Sequence, residues 1–237
     1  MASRTTEILG DLMDDSSPAE SLTDRLVVAC AVAVSVTGVG LILMTDSGPA
    51  GVVAATDEAA STMEKLQFGL GEGPCVDSSV TGRPALHPDL ARTGPALWPV
   101  FSAGALEAGI GAIFAFPLRV GAIRLGVLDL YRDEPGHLTS DQLAEALSFA
   151  GAATTILLLL ETRSSPLGSA DADRLDDVIG HRAVVHQATG LIAVQAKVSL
   201  AAALSLLRAA SFSAGRSMEA VGRDVVDRAL RFDDDND

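Results

Sequence analysis

The spacing of apolar positions changes period several times along the chain, and each change predicts an element. SLTDRLVVACAVAVSV, residues 21–36, is continuously apolar behind a Ser/Thr cap signal and predicts a helix. VGLILMTDSGPAGVVAAT then reads as strand, turn, strand, with Gly and Pro at the centre of DSGPAG. DEAASTMEKLQFGLG returns to helical spacing, opened by Thr56 or Asp57 and closed at the glycines Gly69 and Gly71. A loop-rich stretch follows, with a short helix around residues 75–80 and a short strand around 85–87. In GIGAIFAFPLRVGAIRLGVLDLYRD, β-branched and aromatic residues alternate with small ones on both sides of RVGAIR, which predicts a strand pair. TSDQLAEALSFAGAATTILLLLETR predicts a long helix with its cap signal at Thr139, Ser140 and Asp141.

This order, α-β-β-α-(αβα)-β-β-α, describes an antiparallel sheet with helices packed on it, an α+β fold closing near Arg163. Residues 1–20 are polar and acidic and read as a flexible tail. Residues 164–173, SSPLGSADAD, read as a linker. Three helices are expected after it, over about 174–195, 199–212 and 218–232, with Ser199 and Ser217 where N-caps belong. They form a second, all-α domain over 174–232, followed by the acidic tail 233–237.

Composition then narrows the picture. The chain has 237 residues, 48% hydrophobic, enough for a core and against global disorder. Its net charge of −14 argues against polyanion binding by the whole molecule. The charge is uneven, however. Between Val178 and Arg231, seven Lys/Arg oppose three acids, a local +4. A basic module on an acidic body points to a polyanionic partner for that module. Residues 26–45 carry no charge over 20 positions, the length of a membrane span. Their Ala/Val content and the break at Gly38 and Gly40 fit a buried helix followed by a buried strand. With two cysteines and an N-terminus lacking a signal-peptide core, a cytoplasmic setting is expected.

The stretch HRAVVHQATGLIAVQAK concentrates the charge asymmetry. At about 100° per residue, Arg182, His186, Thr189, Ala193 and Lys197 fall within roughly 80° of one another, with the apolar residues opposite. Small residues between cations admit a backbone, and cations a turn apart can follow successive phosphates. Arg208 and Arg216 add basic groups nearby. The plain alternative is a solvated helix face.

Among other chemistry, Cys75 follows GEGP and could open a short helix, where a thiolate is favoured. Its only potential resolving partner is Cys30 in an apolar helix, so Cys75 reads as a packed or ligand-lining residue. Asp129, in GVLDLY, faces either a pocket or solvent, and solvent is the favoured reading, since lone strand acids usually point outward. GLGEGP lacks the ending of a phosphate loop. His87 and His137 stand alone, so no metal site and no cofactor is expected, and no catalytic set emerges. The apolar 154–161 segment needs cover on more than one side, which predicts a homodimer through that helix and the one at 22–36.

HQATGLIAVQAKVSLAAALSLLRAASFSAGRSMEAVGRDVV resembles the ANTAR domain, through the ordered set QATG, LLRAA and GRSMEAVGRDVV. Residues 21–163 resemble a GAF domain, through GLGEGPCVDSSVTGRPALHPDLA and FPLRVGAIRLGVLDLY. The resemblance implies a non-enzymatic regulator. Its GAF half would sense a small molecule or dimerise. Its ANTAR half would bind a hairpin in an mRNA leader and prevent termination. Arg182, His186, Thr189, Gly190, Ala193, Lys197, Arg208 and Arg216 would be the RNA-binding residues. Thr189 departs from the family, which usually has Lys there; if Thr189 lies in the basic stripe, Thr189→Lys should tighten RNA binding. The alternative function is a ligand-sensing dimer whose C-terminal helices bind protein.

Overall fold

The computed structural model describes residues 3–14, 21–45, 48–161 and 183–232. The linker 164–173, Arg182 and the tail 233–237 lie outside them. The chain divides into two compact units, Met1–Asp176 and Asp177–Asp237.

The first unit is built on a five-stranded antiparallel sheet. Its strands are β1 (Gly38–Thr45), β2 (Gly48–Ala55), β3 (Ala85–His87), β4 (Ala112–Val120) and β5 (Ile123–Arg132), in the order β2-β1-β5-β4-β3. Every pairing is antiparallel, as the α+β reading predicts. Helices α1 (Arg4–Asp14), α2 (Leu22–Val34), α3 (Glu58–Leu70), α4 (Pro74–Thr81), α5 (Leu90–Leu97), α6 (Pro99–Glu107) and α7 (Ser140–Glu161) cover it.

Central strand β5 is buried from Leu125 to Tyr131, with helices on both faces. Alternation sorts its residues. At Gly126 a side chain would strike Leu157 of α7, so Gly126, Leu128 and Leu130 face α2 and α7. Val127, Asp129 and Tyr131 face α3 and α4. The uncharged 26–45 run is not one span: α2 ends with Ser35 in the left-handed region and β1 begins at Gly38. Residues 140–160 of α7 are long and apolar enough to cross a membrane, but this helix packs on β4 and β5.

The caps follow the sequence. Ser21 accepts from the Asp24 N–H, and Asp57 from that of Ala60. Thr139 and Gln142 bond reciprocally at the start of α7, each side chain taking the other's backbone N–H. The N-terminus differs from expectation, because residues 4–14 form a helix. Ile8 and Leu12, one turn apart, are buried, and the Arg4 guanidinium meets Glu145 of α7 at 2.7 Å. Composition hid this, since only two apolar positions carry the packing. Two helices, α5 and α6, fill the stretch that reads as loop-rich.

In the second unit, α8 (Ala183–Gln195), α9 (Leu200–Ala214) and α10 (Met218–Val226) surround Val185, Ala188, Ile192, Ala203, Leu207, Met218, Val221 and Val225. Helices α8 and α9 meet at a bend of 109°. Ser199 and Ser217 cap α9 and α10, accepting from Ala202 and Ala220. Helix α10 stops at Val226, short of the expected 232. There Arg228 turns left-handed, and the Asp224 carbonyl takes the N–H groups of Ala229 and Leu230.

Candidate functional site

The chemistry of the first unit lies between the sheet and α3/α4. On β5, Asp129 pairs across to Gly40 of β1 on one side and Ala115 of β4 on the other. Two small neighbours leave a trough over the centre of the sheet. Helix α3 fills it from above. Its buried stripe is Ala60, Met63, Glu64 and Gln67, at i, i+3, i+4 and i+7, so two polar residues occupy core positions. Gly40 is required here, because a side chain at that position would collide with the Glu64 carboxyl.

The α3–α4 connection completes the arrangement. Gly73 has φ +131, a conformation open to glycine, and a side chain there would strike Gln67. Pro74 starts α4, and the Cys75 N–H donates to Gln67 Oε1 at 2.8 Å. Ser78 of α4 donates to the Ala115 carbonyl, fixing α4 over β4. Glu72 accepts from the Phe101 N–H at 2.9 Å, at the start of α6. GEGPC is therefore a junction motif in which Gly71 caps α3, Glu72 holds the start of α6 and Cys75 ties α4 back to α3.

Gln67 is the hub. Its Nε2 donates to Glu64 Oε2 at 3.0 Å and to Asp129 Oδ2 at 2.8 Å. Glu64, Gln67, Cys75 and Asp129 are all inaccessible to solvent. As carboxylates, Glu64 Oε1 and Asp129 Oδ1 have no donor. A proton on Glu64 supplies one. Burial and the charge of Asp129 push Glu64 well above the usual carboxylate range. Burial also raises Asp129, to about 7, while donation from Gln67, Glu64 and Cys75 holds it there. The Cys75 thiol is pushed up by burial and by the two acids, so it is protonated and unreactive, against an activated thiolate.

Asp129 faces this cluster and not solvent, which corrects the sequence reading. Leu125 to Tyr131 is apolar on both faces, the signature of a strand covered on both sides, so no solvent face existed for it. Glu64 and Gln67 are absent from the sequence reading, and the signal for them is their place at i+4 and i+7 of the apolar stripe that Ala60 and Met63 begin. His87 sits apart, half-buried, edge-on to Trp98 at 4.6 Å.

The candidate RNA residues distribute unevenly in the second unit. His186 and Lys197 are exposed, and Lys197 adopts a left-handed backbone at the α8 terminus. Gly190 and Ala193 are partly buried. Arg208 is half-buried, and burial lowers its pKa. Arg216 is exposed and paired with Asp224 at 2.6 Å. Thr189 does not share the exposed edge. It is 7% exposed and its hydroxyl donates to the Val185 carbonyl at 2.7 Å. The helix is turned by about 50° from the wheel reading at 100° per residue. Leu191 and Val194 are exposed instead, at 40% and 77%. A threonine that satisfies its own hydroxyl within the helix packs like an apolar residue.

The GAF domain family profile matches residues 19–158. A domain described as from a two-component sensor histidine kinase protein of Sinorhizobium meliloti 1021 superposes with a TM-score of 0.50 at 18% identity. The alignment covers 62% of this chain and 97% of that one, and the likeness is one of fold. The GAF domain of an Acinetobacter phosphoenolpyruvate-protein phosphotransferase aligns at 10% identity, over 69% and 98% of the two chains, with a TM-score of 0.49. That from Coxiella burnetii gives 18%, 68%, 98% and 0.48. No curated protein matches the chain.

Proposed function

The chain belongs to the GAF domain family, and from that premise we propose a two-unit regulator in which the GAF unit senses a small molecule and the C-terminal unit binds hairpin RNA to prevent transcription termination. It acts in the cytoplasm, without catalysis, as a homodimer. The reading of the C-terminal unit rests on one observation above the others. Between Val178 and Arg231 the chain carries a local +4 within a total of −14, and this stretch presents His186, Lys197 and Arg216 at exposed positions. Unpaired loop bases and phosphates of an RNA hairpin suit such a reader. Arg216 would exchange Asp224 for phosphate.

A tandem-hairpin RNA titrated over a salt series tests this. Each phosphate contact contributes about −0.7 to the log–log slope for single-stranded RNA, so two to four contacts give roughly −1.5 to −3. Lys197→Ala should reduce the slope by nearly one contact. A slope near zero would favour the second reading, in which these helices bind protein. That reading has its own support in Val194 and Phe212, 77% and 65% exposed.

A further inference from the structure

We propose that Glu64, Cys75 and Asp129 form a binding site for a divalent transition metal ion of the zinc type inside the GAF unit. One carboxylate oxygen from each acid and the Cys75 sulfur lie within 4.8 Å of one another. They come from three different elements, α3, α4 and β5, so folding gathers them. Tetrahedral zinc, with bonds of about 2.0–2.3 Å, places its ligands roughly 3.5 Å apart, so side-chain movements of about 1 Å complete the set.

Two further features point to a ligand. Glu64 Oε1 and Asp129 Oδ1 are fully buried and, as ionised carboxylate oxygens, have no donor, because both hydrogens of the Gln67 amide are spent on the other two oxygens. Native proteins rarely leave such atoms unpaired, and an ion is one way to satisfy them. Gly40 and Ala115 flank Asp129, and Gly40 in particular withholds the side chain that would occupy the space beside Glu64. Gln67 would then be the outer partner, orienting both carboxylates through Nε2 while its Oε1 fixes the Cys75 backbone.

Charge and protons balance. Without metal, above about pH 7, the two carboxyls share one proton and the thiol keeps its own, a net −1. Binding M²⁺ forms one M–S and two M–O bonds and expels both protons, because a coordinated thiol is deprotonated outright. The site is again −1, with a water as fourth ligand. The site itself stands on the geometry of α3, α4 and β5, whether or not the C-terminal unit binds RNA.

Cobalt(II) serves as the probe, titrated into the full chain after chelator treatment. The expected result is one ion per chain and a thiolate-to-cobalt charge-transfer band in the near ultraviolet. Calorimetry at about pH 8, in buffers of different ionisation enthalpy, should give two protons released per ion. Cys75→Ser should abolish the band and Cys30→Ala should keep it. Absence of the band in the wild type overturns the proposal, and so does its persistence in Cys75→Ser. Cobalt bound without a sulfur band, as by the acidic tail, overturns it too. If Cys75→Ser fails to fold by Trp98 fluorescence, Asp129→Asn decides. Affinity lower by about tenfold or more is expected, and unchanged affinity overturns the site.

Discussion

Replacing Asp129 by Asn tests the reading of the buried acid pair through the pH dependence of stability, measured on metal-free protein. Asp129 rises from 3.8 to about 7 on folding, because it exchanges water for a site closed to solvent. Folding therefore raises its pKa, and the sign follows. Below about pH 4 both states are protonated and nothing is lost. Between 4 and 7 the unfolded chain releases the proton while the folded chain keeps it, so stability falls as pH rises. The full loss corresponds to about three pH units, or about 4 kcal/mol at 1.36 kcal/mol per unit. Asn is isosteric and cannot ionise. Its carbonyl keeps the Gln67 bond, and its Nδ2 can donate to Glu64 Oε1, which lacks a donor. The variant should match wild type near pH 4 and exceed it by up to about 4 kcal/mol at pH 8. Glu64 keeps its own upward shift in the variant, so the slope against pH falls by one proton and does not vanish. Urea unfolding read by tryptophan fluorescence isolates the GAF unit, since Trp98 is the sole tryptophan and is buried there. An equal gap at pH 5 and pH 8, or an Asn variant weaker at both, would refute the reasoning.

Gly40→Ala should destabilise the GAF unit by about 1–3 kcal/mol, because the added methyl meets the Glu64 carboxyl across a packed interface. The same urea assay checks it, and in the double variant with Glu64→Gln the penalty should persist, since Gln has the same reach. Thr189→Lys should lower the melting temperature of the C-terminal unit and leave RNA affinity without a gain, because Thr189 packs inward; calorimetry and binding at two salt concentrations settle it. Val32→Glu, at a position 76% exposed on α2, should shift the protein from dimer to monomer in light scattering if α2 and α7 carry the homodimer. A wild-type monomer at micromolar concentration would remove that part of the proposal.

The elements of both units were legible where local chemistry decided them. Ser21, Asp57, Thr139, Ser199 and Ser217 all stand at helix starts, and all five take the N–H three residues on with their own side chains in the way an N-cap demands. The strand pair around Gly121 followed from alternation alone. Helix α1 was not legible, since its stability comes from Ile8, Leu12 and the Arg4–Glu145 contact to a helix more than a hundred residues away. The end of α10 was not legible either, because Arg228 adopts a left-handed turn that glycine or asparagine would have signalled.

The candidate site escaped for a different reason. Cys75 and Asp129 each have an ordinary local explanation, and only the register that sets Gly40 and Ala115 on either side of Asp129 joins them to Glu64 as a set. Yet polar residues on packed faces differ in what they disclose. Thr189 settles its hydroxyl on Val185, one turn back in its own helix, so its burial needs no distant partner. Glu64 has no such local solution. A carboxyl at a core position of α3 finds only one donor on its own helix, Gln67, and that donor is shared. A second group, brought from elsewhere in the chain or from outside it, must answer the remaining oxygen. In a buried helical stripe, then, a carboxyl is a demand for a remote partner, and Asp129 on β5 answers it only by sharing a proton.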